Sequence, residues 1–371
     1  MWNRFKTLDP WLYLLPVVLM TISVAVIYTL TINADGNSLF LKQLIAAVVG
    51  IIAMLVATFI DYRGLKAWAV WIYLFGIFSL IAVRLFGKSD FGAQRWINIG
   101  PMQFQPGELE KLIIIIVIAA MLGRGTAVLT NRRFFAVMLV LLIPAITILV
   151  QPDLGTALVT AAAGLGVLFH GRLRRWQRWF LIGGLVAMVG LVALSFHGTK
   201  PFDRLMQTYQ KNRLASFIDP SRDQGGSGYN VLQSVIAVGS GGLTGKGLGL
   251  GSQSQLNFLP VAHADFIFAA TAESWGLVGS VAIIMLYGVM LVRILQAARI
   301  AKDEFGKLLC LGIAVKIAIE MLVNIGMNIR LMPVTGIPLP FLSYGGTTLV
   351  TNALCIGLVQ SVVIRYKRLT F

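Results

Sequence analysis

Apolar stretches of membrane-crossing length follow one another along almost the whole chain, and that pattern excludes a soluble fold. A helix needs roughly 20 apolar residues to cross hydrocarbon. Segments of this kind run from Trp11 to Ile32, Leu39 to Ile60, Ala67 to Leu85, Leu112 to Leu122, Phe134 to Val150, Leu154 to Phe169, Trp179 to Phe196, Phe266 to Val292, Leu308 to Ile329 and Thr347 to Ile364. The expectation is an all-α multi-span membrane protein of about ten transmembrane helices, a single integral domain over residues 1–371. A content of 57% hydrophobic and 12% charged residues agrees with it. The first stretch is too long for a signal peptide and no small-residue cleavage site follows, so it reads as an uncleaved anchor. Cys310 and Cys355 lie in or at the ends of spans and read as small buried apolar groups, with no disulfide framework.

A net charge of +16 raises the question of nucleic acid. In a membrane protein, however, Lys and Arg collect in the cytoplasmic loops and report orientation. Arg4 and Lys6, Arg63 and Lys66, Arg124 with Arg132 and Arg133, the Arg172 to Arg178 group, Arg293 to Lys307, and Arg365 to Arg368 fall on every second face. That face is expected to be cytoplasmic, with both termini on it, and no nucleic-acid partner is expected. The opposite face receives the one long polar interruption, residues 197–265, and the loops 88–111, 151–153 and 333–346. Lys88, Arg95, Lys111, Lys200, Arg204, Lys211, Arg213, Arg222, Lys246 and Arg330 are retained there against the topological bias, which points to an anionic ligand.

The long interruption closes on Phe258-Leu-Pro-Val-Ala-His-Ala-Asp265, a lone carboxylate where the chain re-enters lipid and therefore a functional-site candidate. His263 reads as a hydrogen-bonding loop residue, and Glu273, two turns into the next helix, either supports Asp265 or is satisfied by another element. Gln105-Pro-Gly-Glu108-Leu-Glu-Lys111 has Pro at a first helical position, with Glu108 either a cap or a ligand. Lys111 opposes the helix dipole and needs a negative partner, Glu108 or a phosphate. In Gln151-Pro-Asp153-Leu-Gly-Thr156, Asp153 is an N-cap or part of an ion site. Glycine crowds Gly239 to Gly247 around Lys246, yet the nucleotide-binding Gly-x-x-x-x-Gly-Lys-Ser/Thr loop is absent. Three prolines between Pro333 and Pro340 forbid an ordinary helix, so 333–346 reads as a re-entrant wall of a site. Lys316 and Glu320, four residues apart in one span, read as an internal pair, with a proton or substrate path as the alternative.

Taken in order, Gly92-Ala-Gln-Arg-Trp96, Gln105-Pro-x-Glu-x-x-Lys111, Gln151-Pro-Asp-Leu-Gly-Thr156, Gly228-Tyr-x-x-x-Gln-Ser234, Gly239-Ser-Gly-Gly-Leu-x-Gly-Lys-Gly247, Asp265-Phe-Ile-Phe-Ala269 and Leu342-Ser-Tyr-Gly-Gly346 resemble the SEDS family (shape, elongation, division and sporulation). The resemblance spans nearly the whole chain, and Pro333-Val-Thr-Gly-Ile-Pro-Leu-Pro340 is more similar to the elongation members than to the division members. It implies a peptidoglycan glycosyltransferase of the bacterial inner membrane. Such an enzyme polymerises lipid II onto a nascent glycan strand during elongation and is partnered by a class B penicillin-binding protein. It further implies that Asp265 is the essential aspartate and that Glu108, Lys111, Asp153 and Ser343 are substrate-binding. Departures from the family pattern are Val261 for a usual Glu, Ala264 for Thr, Gly107 for Ser, Ser274 for a second Glu, and Arg330 for Gly. Diphosphate is a good leaving group that needs little protonation, so one general base suffices where glycosidases need two carboxylates. Asp265 is expected to be that base, with Lys111, Arg213, Arg95 and Lys246 holding diphosphate, aided by a divalent cation, Mg2+ or Mn2+. The alternatives are a lipid II flippase built on Lys316 and Glu320, or a non-catalytic scaffold for a penicillin-binding protein.

Overall fold

The computed structural model describes residues 8–31, 38–90, 93–99, 102–123, 128–196, 208–219 and 226–366. Among the basic residues above, Arg4, Lys6, Arg124, Lys200, Arg204, Arg222 and Arg368 lie outside them. Every apolar stretch is a helix: α1 Trp11–Thr31, α2 Ser38–Phe59, α3 Tyr62–Phe86, α4 Pro106–Leu122, α5 Asn131–Val150, α6 Leu154–Phe169, α7 Arg175–Phe196, α11 Ile267–Ile300, α12 Glu304–Asn328 and α13 Gly346–Ile364. Eight of them are long and apolar enough to cross a membrane. The other two, α4 and α6, have 17 and 16 residues and fall short of that length. The chain is an all-α multi-span membrane protein.

Helix α4 is the hub. Its turns are apolar on every side, so it is buried almost all round, against α3, α5, α6, α12 and α13. Helices α3, α5 and α7 instead expose large apolar side chains such as Trp71, Phe78, Leu139 and Trp179, the faces that lipid covers. The tightest approach joins α2 and α13. A Cβ on Gly357 would stand 2.4 Å from the Met54 carbonyl oxygen, so the two backbones touch where no side chain intervenes.

Two features depart from a plain succession of spans. Residues 88–104 form a small antiparallel sheet, β1 Lys88–Asp90, β2 Ala93–Ile99 and β3 Met102–Phe104, in that order. The alternation in Gln94-Arg-Trp-Ile-Asn-Ile99 is short enough to have read as loop. The long polar interruption is largely helical where described, with α8 Thr208–Ile218, α9 Ser227–Ser240 and α10 Ser252–Gln255.

Helix α11 is broken at Gly276 (φ 65°, ψ −160°). A broken helix frees backbone groups that lipid cannot satisfy. Here the glycine-rich segment satisfies them: Leu277 and Val278 N–H donate to Gly242 and Leu243 carbonyls (2.9 and 3.1 Å), while Lys246 and Gly247 N–H donate to Glu273 and Ser274 carbonyls (3.0 and 2.9 Å). At Gly245 (φ +83°) a Cβ would meet the Ser274 carbonyl at 2.2 Å. Gly241 and Gly245 in this motif therefore serve a close approach to α11 itself.

The Gly357→Ala protein is expected to lose about 1–3 kcal/mol of stability, because the added methyl meets backbone that cannot turn aside. Thermal unfolding of purified protein in detergent reads the loss, and an unchanged midpoint would refute the close-contact account.

Candidate active site

Asp265 occupies a turn between α10 and α11 whose backbone is captured at three successive residues. The His263 carbonyl accepts from Tyr344 N–H (2.8 Å), the Ala264 carbonyl from Ser343 Oγ (2.7 Å), and the Asp265 carbonyl from both Asn324 and Asn328 Nδ2 (3.1 Å each). With its main chain so held, the carboxylate faces the 333–346 loop. A Cβ on Gly336 would lie 3.6 Å from Asp265 Oδ2 and 3.9 Å from an Arg213 guanidinium nitrogen, so acid and cation flank one point, and the backbone there (φ +74°) is the left-handed conformation that favours glycine. Asp265 keeps part of its surface open, yet it sits deep among protein atoms. Burial pushes its carboxyl above the usual range; Arg213 opposes the rise, Asp153 adds to it and Arg95 opposes it.

Asp153 caps α6, accepting from Thr156 N–H (3.1 Å) and Thr156 Oγ1 (2.9 Å). Its other contacts reach across the fold, to Gln105 Nε2 (3.2 Å) at the start of α4 and to the Arg95 guanidinium (3.8 Å) on β2. Arg95 also donates to the Pro152 carbonyl. Gln105 N–H donates to Thr347 Oγ1 (3.1 Å) in the first turn of α13. The N-termini of α4, α6 and α13 thus meet at one end of the bundle, where the positive ends of their dipoles favour negative charge.

The other expected ligands are placed differently. Lys111 is fully enclosed, its ammonium 2.6 Å from Glu108 Oε1 and 2.9 Å from Glu320 Oε1. Lys316 completes the chain, 2.8 Å from Glu320 Oε2 and 2.6 Å from Asn352 Oδ1. Two cations and two anions cancel, and the phosphate partner considered for Lys111 is replaced by carboxylates. Lys246, expected to hold diphosphate, donates instead to Glu273 (2.8 Å), which also accepts Gln253 and Ser254 N–H (2.9 and 3.0 Å) and so anchors the long loop. Ser343 is buried, its hydroxyl committed to the Ala264 carbonyl and the Leu339 N–H (2.8 Å), which makes it a clasp. His263 stacks edge-on against Tyr344 with ring centroids 5.4 Å apart, and burial lowers its imidazole toward the neutral form. Arg330 is exposed at φ +58°, in the left-handed region that favours glycine. Its guanidinium reaches the Ile218 carbonyl.

Asp265, Arg213, Arg95 and Asp153 therefore come together, while Glu108 and Lys111 form a buried pair beneath and Lys246 and Ser343 shape the walls. Asn324 and Asn328 were missed as site residues. Two amides one turn apart inside an apolar span were the available signal.

The model of the FtsW/RodA/SpoVE family, described as cell cycle protein, matches residues 7–368, and the chain belongs to this family. Peptidoglycan glycosyltransferase MrdB of Escherichia coli K12 is 36% identical, over 100% of this chain and 96% of its own length. Peptidoglycan glycosyltransferase RodA of Treponema pallidum is 31% identical, over 95% of this chain and 97% of its own. Among solved structures, a chain of a peptidoglycan synthase complex described as coordinating polymerization and crosslinking superposes with a TM-score of 0.79 at 28% identity, covering 96% of this chain and 97% of that one. The rod shape determining protein RodA of Thermus thermophilus superposes with a TM-score of 0.68 at 27% identity, covering 96% of each chain.

Replacing Lys111 by Met leaves Glu108 buried without a cation and Glu320 with Lys316 alone. The expected cost is about 3–5 kcal/mol of stability, seen as a lowered unfolding midpoint. A variant with an unchanged midpoint and a raised substrate KM would restore Lys111 to the binding surface.

Proposed function

We propose that this protein, a peptidoglycan glycosyltransferase by family, polymerises lipid II with Asp265 as its general base. The carboxylate takes the proton from the acceptor sugar hydroxyl of lipid II. The hydroxyl oxygen bonds to the anomeric carbon of the growing strand as that carbon's bond to diphosphate breaks, with inversion and release of polyprenyl diphosphate. The observation that carries this reading is the setting of Asp265: one acid near Arg213 and Arg95, whose charges favour an anionic leaving group. Its raised carboxyl suits base catalysis, since a base works best when its pKa approaches the working pH.

The cations assigned to diphosphate in this proposal are Arg213 and Arg95. Mg2+ or Mn2+ belongs to the proposal as well. Among the described residues no group of three or more His, Cys, Asp or Glu is placed to hold a metal ion. Such an ion would take most of its ligands from the diphosphate, the mode Mg2+ favours. A class B penicillin-binding protein as partner is supported by the likeness to a chain of a peptidoglycan synthase complex. Residence in the inner membrane with cytoplasmic termini draws support from the basic residues gathered at the end opposite Asp265, where Arg365 pairs with Asp61 (3.4 Å) and Arg293 with Asp9 (3.7 Å). The flippase alternative rests on Lys316 and Glu320, whose charges are already neutralised within the buried chain.

Two measurements test the base. Asp265→Asn is expected to lower lipid II polymerisation about 10²- to 10⁴-fold, and a wild-type rate would end the proposal. Because burial raises the Asp265 carboxyl, kcat/KM should fall, as pH is lowered, through a limb above the ordinary carboxylate range. Arg213→Gln removes a charge that favours the ionised form, so that limb should move to still higher pH; a limb that stays in place would separate Arg213 from Asp265.

A further inference from the structure

The clamp on the Asp265 backbone comes from one face of α12. Asn324 Nδ2 donates to the Asp265 carbonyl (3.1 Å) and to the Ile337 carbonyl (2.8 Å). Asn328 Nδ2 donates to the same Asp265 carbonyl (3.1 Å) and to the Asn324 carbonyl (2.8 Å), while its Oδ1 accepts Ala269 N–H (3.1 Å) in the first turn of α11. Both side chains are fully buried. Their orientations follow from the partners: carbonyl oxygens require the amide nitrogens, and the Ala269 N–H requires the Asn328 oxygen. Each amide hydrogen is in use, so a substitution leaves buried carbonyls without a donor.

Asn324 holds both walls of the site at once. One hydrogen bond fixes the residue that carries the carboxylate, and the other fixes Ile337, next to Gly336, where a Cβ would lie within 4 Å of both Asp265 Oδ2 and the Arg213 guanidinium. Asn328 fixes the same carbonyl from one turn further on and ties it to the start of α11. We infer that Asn324 and Asn328 are positioning residues that set the distance and aim of the Asp265 carboxylate relative to Arg213 and the substrate hydroxyl. This inference rests on the reading of Asp265 as the base. A base displaced by about 1 Å loses on the order of 10²-fold in rate, so two buried amides are sufficient to govern it without touching substrate.

The test uses the full chain with its penicillin-binding partner, lipid II as substrate, and the variants Asn324→Asp, Asn324→Ala and Asn328→Ser. Asn324→Asp keeps the shape while turning both donors into acceptors. The expected result, for variants that keep the wild-type unfolding midpoint, is a kcat reduced about 10²-fold with KM little changed. In Asn324→Ala and Asn328→Ser, which add no charge of their own, the acid limb of kcat/KM should also move upward, because Asp265 is freed from its fixed distance to Arg213. A merely structural role lowers the active fraction equally at every pH and leaves that limb in place. The inference is overturned if the folded variants polymerise within about twofold of wild type, if their limb does not move, or if all three lose the fold. Asp265→Asn in the same assay separates the two readings. If it is inactive while the Asn variants are fully active, only the positioning role fails; if it is active, the base assignment itself fails.

Discussion

Hydrocarbon offers buried polar groups nothing, so the polar face of α12 must be satisfied entirely by the protein, and much of the fold is arranged to do so. Lys316, Glu320, Asn324 and Asn328 recur every four residues and are all fully buried. Four residues are slightly more than one turn, so these side chains form a single inward ridge spanning about 18 Å along the helix. Its inner half is ionic and ties α12 to α4 through Glu320 and Lys111 and to α13 through Lys316 and Asn352. Its outer half is amide and ties α12 to the turn before α11 and to the proline-rich loop. The same helix is therefore anchored by charge at mid-span and presents the site's scaffold at its end.

This division of labour accounts for the placement of charge. Ion pairs fully out of water contribute little net stability, but removing one partner is costly, so they fix a register more than they strengthen it. Glu108, Lys111, Glu320 and Lys316 set how far α12 slides along α4, and hence the height at which Asn324 and Asn328 meet the Asp265 carbonyl. The cations near Asp265, Arg95 and Arg213, sit on the sheet and on α8, outside the long helices, and are only partly buried.

The helices were legible because a long apolar run has few alternatives, and Leu154–Phe169, although shorter than a full span, matches its sequence boundaries to the residue. The cap at Asp153 was legible for the same local reason, a carboxylate three residues before the Thr156 N–H. What eluded sequence was anything decided by partners far along the chain. Lys246 resembles a phosphate ligand until Glu273 is placed against it, 27 residues on, and Ser343 resembles a substrate contact until its hydroxyl meets a carbonyl 79 residues away. The glycine-rich segment had an ambiguous signature, since close approach to a ligand and close approach to a broken helix demand the same residue. Only the break at Gly276 distinguishes them.

A lone acid places an unusual demand on its surroundings. With diphosphate leaving, the proposed base needs no second carboxylate, and Asp153, whose charge it feels, is held instead as the cap of α6. Orientation then has to come from the main chain. The turn bearing Asp265 begins at Val261, a β-branched residue at φ +52°, a conformation costing about 1–2 kcal/mol. Such backbone persists only when its neighbours over-determine it. The carbonyls of His263, Ala264 and Asp265 are each captured in succession, by Tyr344, Ser343 and the two asparagines. In the proposed reaction, the hydrogen bonds that hold this turn are thus also what aim its base.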